Sequence, residues 1–366
     1  MKKLPLNTLI ALACLVVYAA LASAQEFPFL RHNSILDSLQ SITESTSPAN
    51  GDLNPYGVAF VPAAFPSGLN IAPGEVLVSN FNNSAALGDQ EGTGTTIVSI
   101  SPTGQQSLFA TSSLIGLSTA LGVFSRGFVI VGNLPVTYPA GTPGQGSLQI
   151  FDRNGNLVTA LNDPELLDSP WDLTVNDQGA YAQVFVSNVI SGTVTRLNFS
   201  VSYGGVTLLS KTQIGSGYGH QLIPAVVAVG PTGLAYDPVR ELLFVASTAD
   251  NAIFAIRDPL TLTSSAGTGS VVFADQTLLH GPLGLTLAPN SHLITSNGDA
   301  VNAGGTQNDL VEFTEEGDLV ATYQLDSGAP GAAFGIASTL TLGAIRFAAV
   351  DDNLNTLTIW TLGSPL

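Results

Sequence analysis

Pro231-Thr-Gly-Leu-Ala-Tyr-Asp-Pro238 and Pro282-Leu-Gly-Leu-Thr-Leu-Ala-Pro289 are two copies of one phrase, a Pro/Gly turn running into a short apolar strand. Asn54-Pro-Tyr-Gly-Val-Ala-Phe-Val-Pro62 is a third. Weaker copies stand at Ala120-Leu-Gly-Val-Phe124, Pro170-Trp-Asp-Leu-Thr-Val175 and Ala333-Phe-Gly-Ile-Ala337. Aligned at the glycine, the copies put Gly57, Gly122, Asp172, Gly233, Gly284 and Gly335 in register. Their spacing is roughly 50 to 65 residues, the interval of a four-stranded repeat unit.

Each copy is followed by a second apolar strand ending in a small polar residue: Asn80, Asn133, Asn188, Ser247, Asn297 and Asp351. A third strand comes next, as in Thr96-Ile-Val-Ser-Ile100 and Thr356-Leu-Thr-Ile-Trp360. Hairpin chemistry such as Pro102-Thr-Gly104 and Arg153-Asn-Gly155 then leads to a fourth. Such sheets cannot bury both faces alone but can when stacked radially, so the fold class is all-β, a six-bladed β-propeller. The sixth unit ends after its third strand. The missing strand is expected from the N-terminal segment, with Ser34 to Ile42 the best apolar stretch, although Ile35, Leu36, Leu39 and Ile42 also fit a helical face.

Outward from the repeat, Lys2 and Lys3, the apolar run Leu9 to Leu21 and Ala22-Ser23-Ala24 make the three parts of a secretory leader. The expected organisation is a signal peptide over 1–24, a ring-closing segment over 25–50 and the propeller over 51–366. The protein is therefore expected to be secreted or periplasmic, with no membrane insertion after cleavage. The only cysteine, Cys14, lies in the leader, with Ala11 where a lipid-anchor signal would have leucine, so the mature chain has no thiol chemistry. Only 10% of residues are charged and 45% are hydrophobic, with 38 Gly and 21 Pro, which suits short buried strands and tight turns. The formal charge of −17, two units more negative once Lys2 and Lys3 leave, repels phosphate backbones and excludes nucleic acid as a partner.

The units Pro231 to Pro238 and Asn54 to Phe60 resemble NHL repeats, and residues 50–362 as a whole resemble NHL-type and gluconolactonase-like six-bladed propellers. That resemblance implies a fold shared by lactonases, lyases and plain binding scaffolds. It implies ligand sites around the channel mouth, on the face carrying the blade-to-blade connections and the loops between second and third strands. On that face the sequence places Asn80, Asn133, Asn188, Asn297 and Asp351 as ligand-binding candidates. Asn188, Asn297 and Asp351 are the metal candidates, since amide and carboxylate oxygens suit calcium. The same residues would equally cap their strand ends. Asp172 replaces the repeat glycine beside the crowded axis, and would either bond neighbouring amides or hold a cation. His220 and His280, on successive blade approaches, are candidates for a general base or for zinc, which the amidating lyases of this type hold with three histidines. The third is missing, as is the early first-blade acid of gluconolactonases at Asn54 to Gly57. Trp171 and Trp360 read as packing or as a sugar platform. The reading is a monomeric propeller that binds a small molecule, or an extracytoplasmic protein or glycan, at its channel mouth, with calcium as the cation it would take. A metal-dependent lactonase or lyase using Asp172, His220 or His280 is the alternative.

Overall fold

The computed structural model describes residues 33–66, 70–223, 227–298, 308–328, 331–341 and 343–363. The proposed leader over 1–24 lies outside them. Six four-stranded antiparallel sheets form the blades. From the axis outward, blade 1 comprises Leu53–Phe60, Val76–Asn82, Thr96–Ile100 and Gln106–Thr111, and blade 2 comprises Leu117–Phe124, Phe128–Asn133, Ser147–Asp152 and Leu157–Leu161. Blade 3 is built from Pro170–Asp177, Tyr181–Asn188, Thr193–Ser202 and Gly205–Ser216, and blade 4 from Pro231–Asp237, Leu242–Ser247, Ala252–Arg257 and Ser270–Phe273. Blade 5 is Pro282–Leu287, His292–Asn297, Leu310–Thr314 and Leu319–Tyr323; blade 6 is Ala333–Thr341, Ala344–Asp351, Thr356–Leu362 and, outermost, Leu39–Ser45. Each inner strand packs on that of the next blade, and the sixth returns to the first.

The second strands are buried at nearly every position because both of their faces are covered. Val76–Asn82 and His292–Asn297, for example, are buried throughout. Six apolar clusters sit between successive blades, from Leu77, Phe109 and Phe151 between blades 1 and 2 to Val78, Val350 and Ile359 between blades 6 and 1. Each such side chain removed from water contributes about 1.5–3 kcal/mol, so each blade is stabilised mainly through its neighbours.

The expected closing strand forms, antiparallel to Thr356–Leu362, but it begins at Leu39, and residues 34–38 fold as a turn rather than a helix. The buried carboxylate of Glu312 explains the turn. It accepts hydrogen bonds from Ser34 Oγ (2.9 Å), Ile35 N (2.9 Å) and Leu36 N (3.1 Å), while Ile35 and Leu36 enter the core between blades 5 and 6. His292 is buried at the start of its strand, with Nδ1 2.6 Å from Glu312 Oε1.

One alignment needs correction. Pro55, Pro170, Pro231, Pro282 and Ala333 pair with Asn80, Asn188, Ser247, Asn297 and Asp351 of their second strands, and three residues later pairing resumes at Val58, Leu173, Leu234, Leu285 and Ile336. In blade 2 the same bulge runs from Leu117 to Leu121, one residue longer. The residue equivalent to Asp172 is therefore Ala120, and Gly122 lies two positions beyond it.

Candidate functional site

The same pairings show that Asn80, Asn133, Asn188, Ser247, Asn297 and Asp351 do form one ring of equivalent positions. All six are buried. Their side chains are engaged with the chain's own connections. The amides of Asn80, Asn133, Asn188 and Asn297 donate to the carbonyls of Thr46, Ile115, Leu166 and Leu278, each on the segment entering that blade. Asn297 Oδ1 also accepts His280 N (3.0 Å), and Asp351 Oδ1 accepts Leu354 N (3.0 Å). These residues tie incoming strands to the sheet. Asp351 differs in lying near Asp326 and Asp309; burial first, then those carboxylates, raise its carboxyl to about 6. Asp299 lies outside the described residues.

The channel end on this first face, where the inner strands begin, is closed by hydrocarbon. The residues preceding the small ring position are large in four blades: Tyr56, Trp171, Leu283 and Phe334. The residues following the second strand's polar end supply Phe81, Leu134 and Val189. Tyr56 stacks between Phe81 and Phe334, at 4.5 Å from each, and Trp171 meets Tyr56 and Phe81 edge-on at 5.8 and 5.7 Å. This lid was legible in part as the bulky residue before the ring position in those four blades. Trp171 belongs to it, and Trp360 is buried between Tyr323 and Phe347, so both tryptophans are packing residues.

Beneath the lid lies a cavity of about 230 Å³ lined by all six inner strands. Its mouth is on the opposite, second face. Burial falls from start to end along the inner strands of blades 3 and 6: in Pro170–Asp177 the first four residues are buried and the last four half-buried, and Ala333–Thr341 follows the same trend. Blades 3 and 6, facing each other across the ring, have the longest second strands, eight residues each, and so rise highest on this face. The inner strands are also sheet edges, so their axial N–H and C=O groups have no ladder partner and face the cavity. The half-buried ends of these strands put the exposed part of the cavity lining toward the second face.

Asp172 is the one carboxylate among the described residues that line this cavity. Its equivalents are Gly57, Ala120, Gly233, Gly284 and Gly335, and the axis is tight there: a Cβ on Gly335 would stand 1.7 Å from Tyr56 O, and one on Gly233 2.3 Å from Leu285 N. Asp172 Oδ1 accepts Leu173 N (2.7 Å). Burial drives its carboxyl well above the usual range, opposed only by the N–H groups of Leu173 and Leu234. The acid is thus neutral over part of the range where carboxylates are normally charged.

The other candidates are elsewhere. His220 is exposed, its Nδ1 2.9 Å from Tyr218 O, and His280 is buried at the edge of blade 5; neither lines the cavity. Among the described residues no three His, Cys, Asp or Glu side chains stand together as a metal site would require. Calcium takes roughly six to eight oxygens, several of them carboxylate, so the donor set around Asp172 does not fit it.

Fold and site define this chain as a six-bladed β-propeller, closed on one face and hollow toward the other. Solved structures share that fold at low identity. The major allergen Mala s 1 of Malassezia sympodialis is 14% identical, with a TM-score of 0.57 over 88% of this chain and 96% of that one. A calcium-binding regucalcin from Agrobacterium tumefaciens is 13% identical, with a TM-score of 0.51 over 88% and 95%. A gluconolactonase from Xanthomonas campestris is 12% identical, with a TM-score of 0.51 over 86% and 87%. No family model and no curated protein matches the sequence.

Proposed function

We propose that this chain is a secreted propeller that binds a small ligand in its central cavity, entered from the second face, with Asp172 as the recognising group. The observation that carries this is the side chain of Asp172. Five blades place glycine or alanine at the ring position, and the sixth places a buried carboxyl facing the cavity. Burying that group without a counter-charge costs stability, which is the usual mark of a group kept for binding. The leader, with Lys2, Lys3 and the apolar run Leu9 to Leu21, supports export. No second acid–base group joins Asp172 among the described lining residues, so the reading is binding rather than turnover.

Thermal unfolding of the wild type and of Asp172→Gly, screened against short-chain polyols, lactones, amines, carboxylates and calcium chloride, tests it. A compound that raises the wild-type midpoint and leaves the variant unmoved supports the reading. Equal shifts in both proteins for every compound would remove Asp172 from it. A rise with calcium alone would favour the cation-dependent form of the fold instead.

A further inference from the structure

The chemistry around Asp172 narrows the ligand class, an inference that rests on the cavity being the binding site. Among the described residues the cavity lining contains no Lys, Arg or His. The elements packed around the carboxyl bring no cation to it either. The inner strand of blade 2, Leu117–Phe124, has no ionisable residue; that of blade 4 carries only Tyr236 and Asp237, the latter accepting Val239 N at the far end. The second strand of blade 3 carries only Tyr181, whose hydroxyl donates to Asn198. Beyond Asp172 the lining mixes aliphatic side chains, among them Val58, Leu121, Leu234, Leu285 and Ile336, with hydroxyls and strand-edge backbone groups, and these polar groups make up most of its exposed surface. At about 230 Å³ the space is below the range of roughly 300–1,000 Å³ usual for drug-sized ligands.

We propose that the cavity takes a small primary or secondary alkylammonium ion, its N–H groups donating to the Asp172 carboxylate and its alkyl chain lying among the aliphatic walls. The ligand supplies the positive charge that the protein withholds. Inside a cavity of low dielectric the attraction within such a pair is stronger than in water, and it offsets the cost of desolvating the two charges. The strand-edge carbonyls offer acceptors for the remaining N–H groups, and the −17 charge of the chain raises the local concentration of cations at the mouth. As the ammonium seats, the acid releases its proton to solvent and the pair is net neutral. A carboxylate or phosphate ligand would meet no donor of opposite charge along these walls.

The test is titration calorimetry with n-butylammonium chloride and with n-butanol, its uncharged counterpart of similar shape, against the full-length mature protein. Charge-assisted hydrogen bonding predicts that the wild type binds the ammonium roughly ten- to a hundred-fold more tightly than the alcohol. Asp172→Asn, nearly the same size, should bring the two within about two-fold. Asp172→Gly, which restores the small residue of the other blades, gives the same reading if the asparagine variant folds poorly. Equal binding of both probes by the wild type would overturn the amine assignment and leave the cavity reading standing. Ammonium binding that survives both substitutions would overturn it as well, by placing the cation elsewhere. Failure of both probes to bind the wild type and the glycine variant would bring down both readings.

Discussion

Replacing Asp172 by asparagine should change how stability depends on pH, and the sign follows from the direction of its shift. The folded chain holds this carboxyl well above its ordinary value of 3.8, chiefly through burial. Above about pH 4 the unfolded chain has lost the proton and the folded chain has kept it. The unfolded state then binds fewer protons, so wild-type stability falls as pH rises, from about pH 4 until the folded group itself titrates. Each pH unit inside that window costs about 1.4 kcal/mol, the linkage for one proton. The amide introduced by Asp172→Asn would keep an oxygen to accept the 2.7 Å bond from Leu173 N and has nothing to titrate. The variant should therefore gain on the wild type from about pH 4 upward, by up to about 1.4 kcal/mol per pH unit, until the folded group titrates. Urea denaturation at half-unit intervals from pH 4 to 7 measures the difference, and carboxyls common to both proteins cancel. An unchanged slope m would show that only stability moved. A difference that stays flat would refute the reasoning. One that runs the other way, with the wild type gaining on the variant as pH rises, would mean that a charged Asp172 already has a cationic partner.

Two further outcomes follow from the same geometry. Glu312→Gln turns a buried acceptor of three N-terminal hydrogen bonds into an amide whose NH₂ faces donors, at a cost of about 2–4 kcal/mol; hydrogen exchange should speed up first in the half of the closing strand next to the turn, Leu39 to Ile42, and unchanged protection there would show that the turn does not anchor the closing strand. Tyr56→Ala removes the centre of the lid at about 3–5 kcal/mol and should let acrylamide quench Trp171, which is 1% exposed in the native protein; fluorescence as shielded as in the wild type would mean that the lid closes without Tyr56.

The blades were legible because their signals are local. A Pro/Gly turn, an apolar strand and a polar strand end recur within one unit, and covered second strands read as unbroken apolar runs. The ring of Asn80, Asn133, Asn188, Asn297 and Asp351 was legible as a set of equivalent positions for the same reason. Where those side chains point was not, because their partners, Thr46, Ile115, Leu166 and Leu278, lie on connections of unlike sequence and length. Gly122 misled because glycine is the visible mark of the repeat, while the extra residue of the blade 2 bulge shows only in the pairing of Leu117 with Asn133 and Leu121 with Val131. Asp172 stood out in the sequence because a charged residue in place of a small one is a departure visible without coordinates.

The open end of the cavity follows from the order of residues along the inner strands. A bulky residue precedes a small one, as in Tyr56-Gly57, Leu283-Gly284 and Phe334-Gly335, so backbones meet closely at the small residue while the large side chains seal the space above it. Below that constriction each strand carries aliphatic residues that keep its neighbours apart, and the right-handed twist of the sheets spreads the strands further. A cavity on the second face is the outcome, with Asp172 at its closed end. On the proposed reading, a ligand entering there would pass the ends of the inner strands and the half-buried residues Val175, Ala337 and Ser338 before it reached the carboxyl. Selectivity by size would then belong to those residues and to the tall edges of blades 3 and 6, and selectivity by charge to Asp172. Substitutions on the long first-face loops, separated from the cavity by the aromatic lid, should alter affinity only when they loosen that lid.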